Sequence, residues 1–251
     1  MSQAIPISQQ VLDTLKQAST ATLTSQLFKL GYRQQFLVGL TPLNPQLPAF
    51  AGEAYTLRFI PSREDKDWDL SDLAKRGDKN MQWEAVEALT PGQVLVIDSR
   101  NDTRAASAGN ILVYRMMLKG AAAVITDGAF RDGHEIGEIP IASYCRGNTA
   151  TTRPAFLRAV DVQLPIGCAD VAVYPGDIIV GDRDGVVVIP RHEAEKVAGM
   201  AKLQEEREQF SFLKIKEGAP LWGNFPMDEE TRKEFEIWRE KQAATQSKQS
   251  D

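Results

Sequence analysis

The feature that most restricts what this chain can fold into is a strand, helix, strand succession near its middle: VLVIDS (94–99), AGNILVYRMMLKG (108–120) and AAAVITDG (121–128). The two flanking runs are short and almost wholly apolar, as strands buried on both faces require, and the segment between them is long enough for a helix. This is the pattern of a βαβ crossover, a parallel strand pair with a covering helix. In open sheets of this kind ligands gather at the loops that follow the strands, so the residues after VLVIDS and AAAVI are the first place to look for chemistry.

Two loops qualify. NDTRAASAGN (101–110) is a small-residue stretch running into the helix near Gly109, where open backbone N–H groups and the helix dipole favour an anion such as a carboxylate; Ser107 to Asn110 would alternatively serve only to cap that helix. TDGAFRDGHE (126–135) offers Arg131, which can grip a planar carboxylate through two N–H groups, and Asp132, a hard oxygen ligand for a divalent cation. The structural alternative is a surface loop in which Arg131 pairs with Asp127 or Glu135. Arg104 faces the same ligand if the two loops end adjacent parallel strands, and is otherwise an ordinary surface arginine. His134, on a glycine-rich loop, reads as an exposed bystander. Asp177, Asp182 and Asp184 in PGDIIVGDRDG suit turns and side-chain to backbone hydrogen bonds without a metal.

The rest of the chain supplies scaffold. Ser8 precedes a helix with Val11, Leu12 and Leu15 on one face, and TATLTSQLFKLGY is a second helix closed by Gly31. FAGEAYTLRFI, IPIASY, AVDVQLPIG, VAVYPGDIIVGD and GVVVIP read as strands, MQWEAVEAL as a short helix, and RHEAEKVAGMAKLQEEREQF as a long one after Pro190. The charged stretch REDKDWDLSDLAKRGDKN is expected to be a solvated loop or short helix, with a substrate lid as the alternative. MDEETRKEFEIWREKQ is expected to be a last helix that frays through AATQSKQSD; its Phe235 and Trp238 lie outside the apparent main domain and are expected to meet another surface, such as a neighbouring subunit. A net charge of −5 with no basic stripe argues against a nucleic-acid partner, and no long apolar stretch suggests a membrane span, so a cytoplasmic location is expected. Cys145 and Cys168 suit a reducing compartment in which neither bridges, Cys168 as a packed thiol.

Taken in order, FAGEAYTL, GQVLVIDSR, AGNILVYRMMLKGAAAVITDGAFRD and YPGDIIVGDRDGVVVIP resemble the family that contains the class II 4-hydroxy-4-methyl-2-oxoglutarate/4-carboxy-4-hydroxy-2-oxoadipate aldolases and the regulator of ribonuclease activity A, over roughly Thr20 to Pro190. The resemblance implies an α/β fold of the αββα sandwich-like type, RraA-like, with residues 1–190 as the catalytic domain and 191–251 as a C-terminal helical extension. It also implies a homo-oligomer, a trimer or a dimer of trimers with sites near subunit interfaces. Its enzymes use Mg²⁺ or Mn²⁺ to stabilise the pyruvate enolate formed by retro-aldol cleavage of a small 2-oxo acid, and also decarboxylate oxaloacetate. Their motif, an aspartate, twenty residues, Arg-Asp, two residues and an acid, falls on position 110, Arg131, Asp132 and Glu135. The resemblance thus makes Arg131 and Glu135 catalytic and Asp132 the metal ligand, with Gly109, Asn110, Ile111 and Leu112 receiving the pyruvate carboxylate. One departure stands out: Asn110 occupies the place of the first aspartate, and an amide cannot act as a general base. The expected function is a metal-dependent lyase releasing pyruvate from a 4-hydroxy-2-oxo acid. The alternatives are a dehydratase or decarboxylase of a related 2-oxo or sugar acid, and a non-catalytic regulator of RNA processing.

Overall fold

The structure, a computed structural model, describes residues 7–67 and 80–249. The chain forms two compact units, Met1–Ala198 and Gly199–Asp251. Most of the charged stretch expected to be a loop or short helix lies outside the described residues; its described part includes the single turn α3 (Glu64–Asp67).

The crossover forms as its pattern dictates: β3 (Val94–Asp98), α5 (Asn110–Leu118) and β5 (Ala123–Thr126), with β3 and β5 parallel and Val94 level with Ala123. Around this pair a mixed sheet assembles from β1 (Thr41–Pro42), β7 (Ala142–Cys145), β5, β3, β2 (Phe50–Pro61), β12 (Ile178–Gly181) and β13 (Val186–Ile189) in that order. The inner run β7, β5, β3, β2 is parallel, and the pairings at both ends are antiparallel. At twelve residues β2 is long enough to pair with β12 through its first half and with β9 (Leu157–Val162) through its second, along the edge opposite β3.

Alternate residues of these strands enter two different cores, which explains why their sequences read as unbroken apolar runs. Tyr55, Leu57, Leu95, Ile97 and Val124 face one core, which includes Ala85 and Val86 of α4 (Met81–Ala88), Val113 and Met116 of α5, and Ile136 of α6 (Gly133–Glu138). Phe50, Ala54, Val94, Val96 and Ile125 face the other, with the hairpin of β10 (Ile166–Cys168) and β11 (Val171–Val173). Cys168 is fully buried there as the packed thiol its setting suggested, and burial pushes its pKa well above the ordinary range. Both cysteines are free. Ser8 and Ser19 cap α1 (Gln9–Gln17) and α2 (Thr20–Lys29), whose Leu15, Leu23 and Leu27 are fully buried. The turn reading of the glycine-flanked aspartates holds: Asp177 accepts from the N–H groups of Tyr174 and Arg191, and Asp182 accepts from the N–H and hydroxyl of Thr20 and the N–H of Asp184.

The second unit holds most of α7 (Ala194–Lys216) and all of α8 (Glu229–Gln249). Two expectations are corrected here. The last helix continues to Gln249 instead of fraying through AATQSKQ, a stretch without the glycine or proline that would stop it. Phe235 needs no outside surface: it is 1% exposed against Phe210 and the partly buried Trp238, with ring centroids 5.9 and 6.1 Å away, and Met227 joins the cluster. Aromatic spacing revealed one apolar face of α8 but gave no sign of the partner, α7, in the same unit. Among the described residues no helix is long and apolar enough to cross a membrane.

Candidate active site

The loops after β3 and β5 fold together because short strands clip them. β4 (Ala106–Ala108), β6 (Ala129–Phe130) and β8 (Gly147–Asn148) form a small parallel sheet, and the N–H of Arg131 continues it by donating to the carbonyl of Ala108 at 2.9 Å. Behind it, the hydroxyls of Ser99, Ser107 and Thr126 form a buried triangle with edges of 2.7, 2.6 and 3.1 Å, tying the ends of β3, β4 and β5 to one another. Beside the triangle Asp127, fully buried, accepts from the N–H groups of Ser99, Asn101 and Ala169 at 2.6, 3.1 and 3.2 Å. Those donors favour the carboxylate, yet burial outweighs them and pushes its pKa to about 6. The surface-loop alternative placed Asp127 beside Arg131; in the structure its carboxylate is engaged by backbone instead.

Arg131 and Asp132 sit where this clipped segment meets the start of α5. Asp132 occupies the left-handed region (φ 61°, ψ 41°) at the N-cap of α6, a position where aspartate ordinarily accepts from the helix's own amides. It makes no such capping bond. Its Oδ2 turns instead to the N–H of Asn110 and the Nε of Arg131, both at a long 3.4 Å, while Oδ1 has no hydrogen-bond partner among the described residues. A left-handed aspartate costs about 1–2 kcal/mol, and here the strain serves to aim a carboxylate at another helix. Gly109, the N-cap of α5, permits the approach: a Cβ there would lie 3.0 Å from Asp132 Oδ2 and 3.5 Å from Arg131 Nε. Since glycine also gives no side-chain cap, the first-turn amides around Ile111 and Leu112 stay open as anion donors.

These residues border a cavity of about 430 Å³. Gly109, Asn110, Ile111, Leu112 and Arg131, which the resemblance groups together, all line it, and Asp132 faces a shallower depression that Arg131 also borders. Arg104 is placed differently: its guanidinium pairs with Asp102, holding that carboxyl below its usual range, and lies 4.6 Å over the ring of Phe156, outside the cavity lining. Glu135 is exposed in the first turn of α6, and His134 is exposed on the same helix with Glu138 3.9 Å away. The cavity is also lined by Asn80, Gln82 and Trp83 and by Thr152 to Pro154, residues without a functional signal in the sequence. No local signal in MQWEAVEAL or NTATTRP marks them, since only packing brings them to the site.

The donor set bears on the implied metal. Among the described residues no three His, Cys, Asp or Glu side chains converge into a cage. Mg²⁺ does not require one, because it keeps several waters and is commonly held by one or two carboxylates. Asp132, 31% exposed at its side chain and with Oδ1 unengaged, fits that water-rich mode.

Comparison with known proteins gives a consistent picture. A family model for RraA-like proteins (Aldolase/RraA) matches residues 12–188. A 4-hydroxy-4-methyl-2-oxoglutarate aldolase of Thermus thermophilus is 33% identical over 99 residues, 39% of this chain and 60% of that protein. A Halalkalibacterium halodurans protein that bears the same aldolase name provisionally is 36% identical over 130 residues, 51% of this chain and 61% of that protein. The chain therefore spans about three-fifths of the length of these relatives. Among solved structures, Streptomyces coelicolor RraAS2, an unusual member of the RNase ES inhibitor RraA protein family, matches with a TM-score of 0.72 at 29% identity, covering 82% of this chain and 98% of that one.

Proposed function

This chain belongs to the RraA-like (Aldolase/RraA) family, and from that premise we propose that it is a divalent-metal-dependent lyase that cleaves a small 4-hydroxy-2-oxo acid to pyruvate. The observation that carries the reading is the turn of Asp132 away from its own helix toward the open N-terminus of α5, beside Arg131. An anion-binding helix end, a guanidinium and a carboxylate with a free oxygen are together what a 2-oxo acid and its counter-cation need.

In this reading the first-turn amides of α5 receive the substrate carboxylate. Asp132 would hold Mg²⁺ or Mn²⁺, which when bound polarises the keto group. Arg131 meets the negative charge as the enolate develops, and a fixed charge that strengthens in the transition state lowers the barrier to breaking the bond beyond the carbonyl. Retro-aldol cleavage also needs a base for the hydroxyl proton. Asn110 cannot supply one, which leaves Glu135, His134 or water. β-Decarboxylation needs no such base, so Asn110 specifically favours decarboxylation of an oxaloacetate-like acid as the second reading.

The test is pyruvate release from a panel of 4-hydroxy-2-oxo acids and oxaloacetate with Mg²⁺, Mn²⁺ or EDTA. Metal-dependent release that is lost in Asp132→Asn, with circular dichroism and melting temperature unchanged, is the expected result. Turnover unaffected by EDTA or by Asp132→Asn would overturn the assignment, and release from oxaloacetate alone would select the decarboxylase.

A further inference from the structure

Part of the cavity lining differs in chemistry from Gly109 and Arg131. Gln82 is 4% exposed and lines the cavity. Its Nε2 donates to the carbonyl of Ser107. Nothing else among the described residues bonds to its amide, so Oε1 remains an acceptor facing no donor of the described chain. Asn80 uses Oδ1 to cap the N–H groups of Gln82 and Trp83, which leaves its NH₂ as a donor. Thr152 adds a hydroxyl, and Trp83, 62% exposed, adds an apolar face. Arg153 lines this part of the cavity as well; it donates through Nη1 to the carbonyl of Leu157, with its guanidinium 5.9 Å over the ring of Phe59.

Resting on the lyase reading above, we propose that this part of the lining selects a 2-oxo acid whose far end is neutral and hydroxylated, a sugar-acid type of substrate, over one ending in a second carboxylate. A neutral amide acceptor, an amide donor and a hydroxyl match alcohols, which both donate and accept; a carboxylate only accepts, and Gln82 Oε1 would repel it. The reach is right as well. Gln82 is fastened at Ser107, two residues along β4 from Gly109, roughly 6–7 Å of extended strand. That places it beyond the three-carbon core held at Gly109 and Arg131 and level with the substituents that follow. With Nε2 already bonded to Ser107, a substrate hydroxyl donating to Oε1 adds a hydrogen bond that an acceptor-only group cannot make.

Calorimetric titration of the full chain with Mg²⁺ tests this using three probes: pyruvate, a neutral polyhydroxylated 2-oxo-3-deoxy acid, and 4-hydroxy-2-oxoglutarate. The expected order puts the neutral hydroxylated acid about tenfold tighter than the dicarboxylate. Gln82→Met should remove most of that preference while leaving pyruvate affinity unchanged. Equal or tighter binding of the dicarboxylate by the native chain overturns the inference without any variant, and so does a Gln82→Met protein that keeps the preference. Failure of pyruvate itself to bind would instead strike the lyase reading beneath it.

Discussion

Replacing Asp127 with asparagine should change how stability depends on pH, by an amount set by the fold. Its carboxylate is fully buried, with three N–H donors stabilising the charge and burial opposing it, and the balance raises the pKa from an ordinary aspartate value of 3.8 to about 6. The folded protein therefore holds the proton more tightly than the unfolded chain does. The resulting stabilisation is fully present below about pH 4 and is lost as pH rises through 6. Between pH 4.5 and 7.5 the loss from this one group is about 2 kcal/mol. The amide of the Asp127→Asn variant does not titrate, so subtracting the variant's unfolding free energy from the native protein's at each pH cancels every shared group. Urea denaturation at the two pH values should show the native protein losing about 2 kcal/mol relative to the variant as pH rises. A difference that stays constant, or moves the other way, would mean that the three N–H donors outweigh burial and that Asp127 is an ordinary ionised latch.

Two further substitutions probe the site and the second unit. Gly109→Ala needs no unusual backbone, since φ is −118°, but its Cβ would press on Asp132 Oδ2 at 3.0 Å. It should leave the melting temperature within a few degrees while weakening Mn²⁺ binding about tenfold, followed by electron paramagnetic resonance, and unchanged Mn²⁺ affinity would show that Asp132 does not depend on that approach. Phe235→Ala removes the most buried ring of the α7 and α8 cluster and should cost about 3–5 kcal/mol, read as loss of amide-exchange protection along α8. Undiminished protection would contradict the cluster's role.

How much of this was legible beforehand follows from what sequence pattern can report. The βαβ unit was readable because periodicity and length act locally, and its strands were apolar throughout because each side of the sheet has its own core. That the helix start near Gly109 and the loop carrying Arg131 share one unit was legible because both follow strands of the βαβ crossover, while the assignment of Gly109 to Leu112 came from the resemblance of the chain to a known family. Asp132 as an oxygen ligand was readable, but its left-handed backbone and its failure to cap α6 were not, since both depend on where α5 begins. The last helix shows the same limit: its apolar stripe was plain in the sequence, and the identity of its partner was not. Asn80, Gln82, Trp83 and Thr152 to Pro154 gave no signal, because their shared cavity joins segments far apart in the chain. The sequence alone determined the long strands and helices and which loop would carry charge, as those follow from neighbours within a turn or two, whereas β4, β6 and α6 lie in stretches that read as loops because they are too short to show a period. Only the tertiary structure decided which residues share the cavity with Arg131 and that Asp127 is buried, because burial and apposition come from packing between elements that local periodicity never compares.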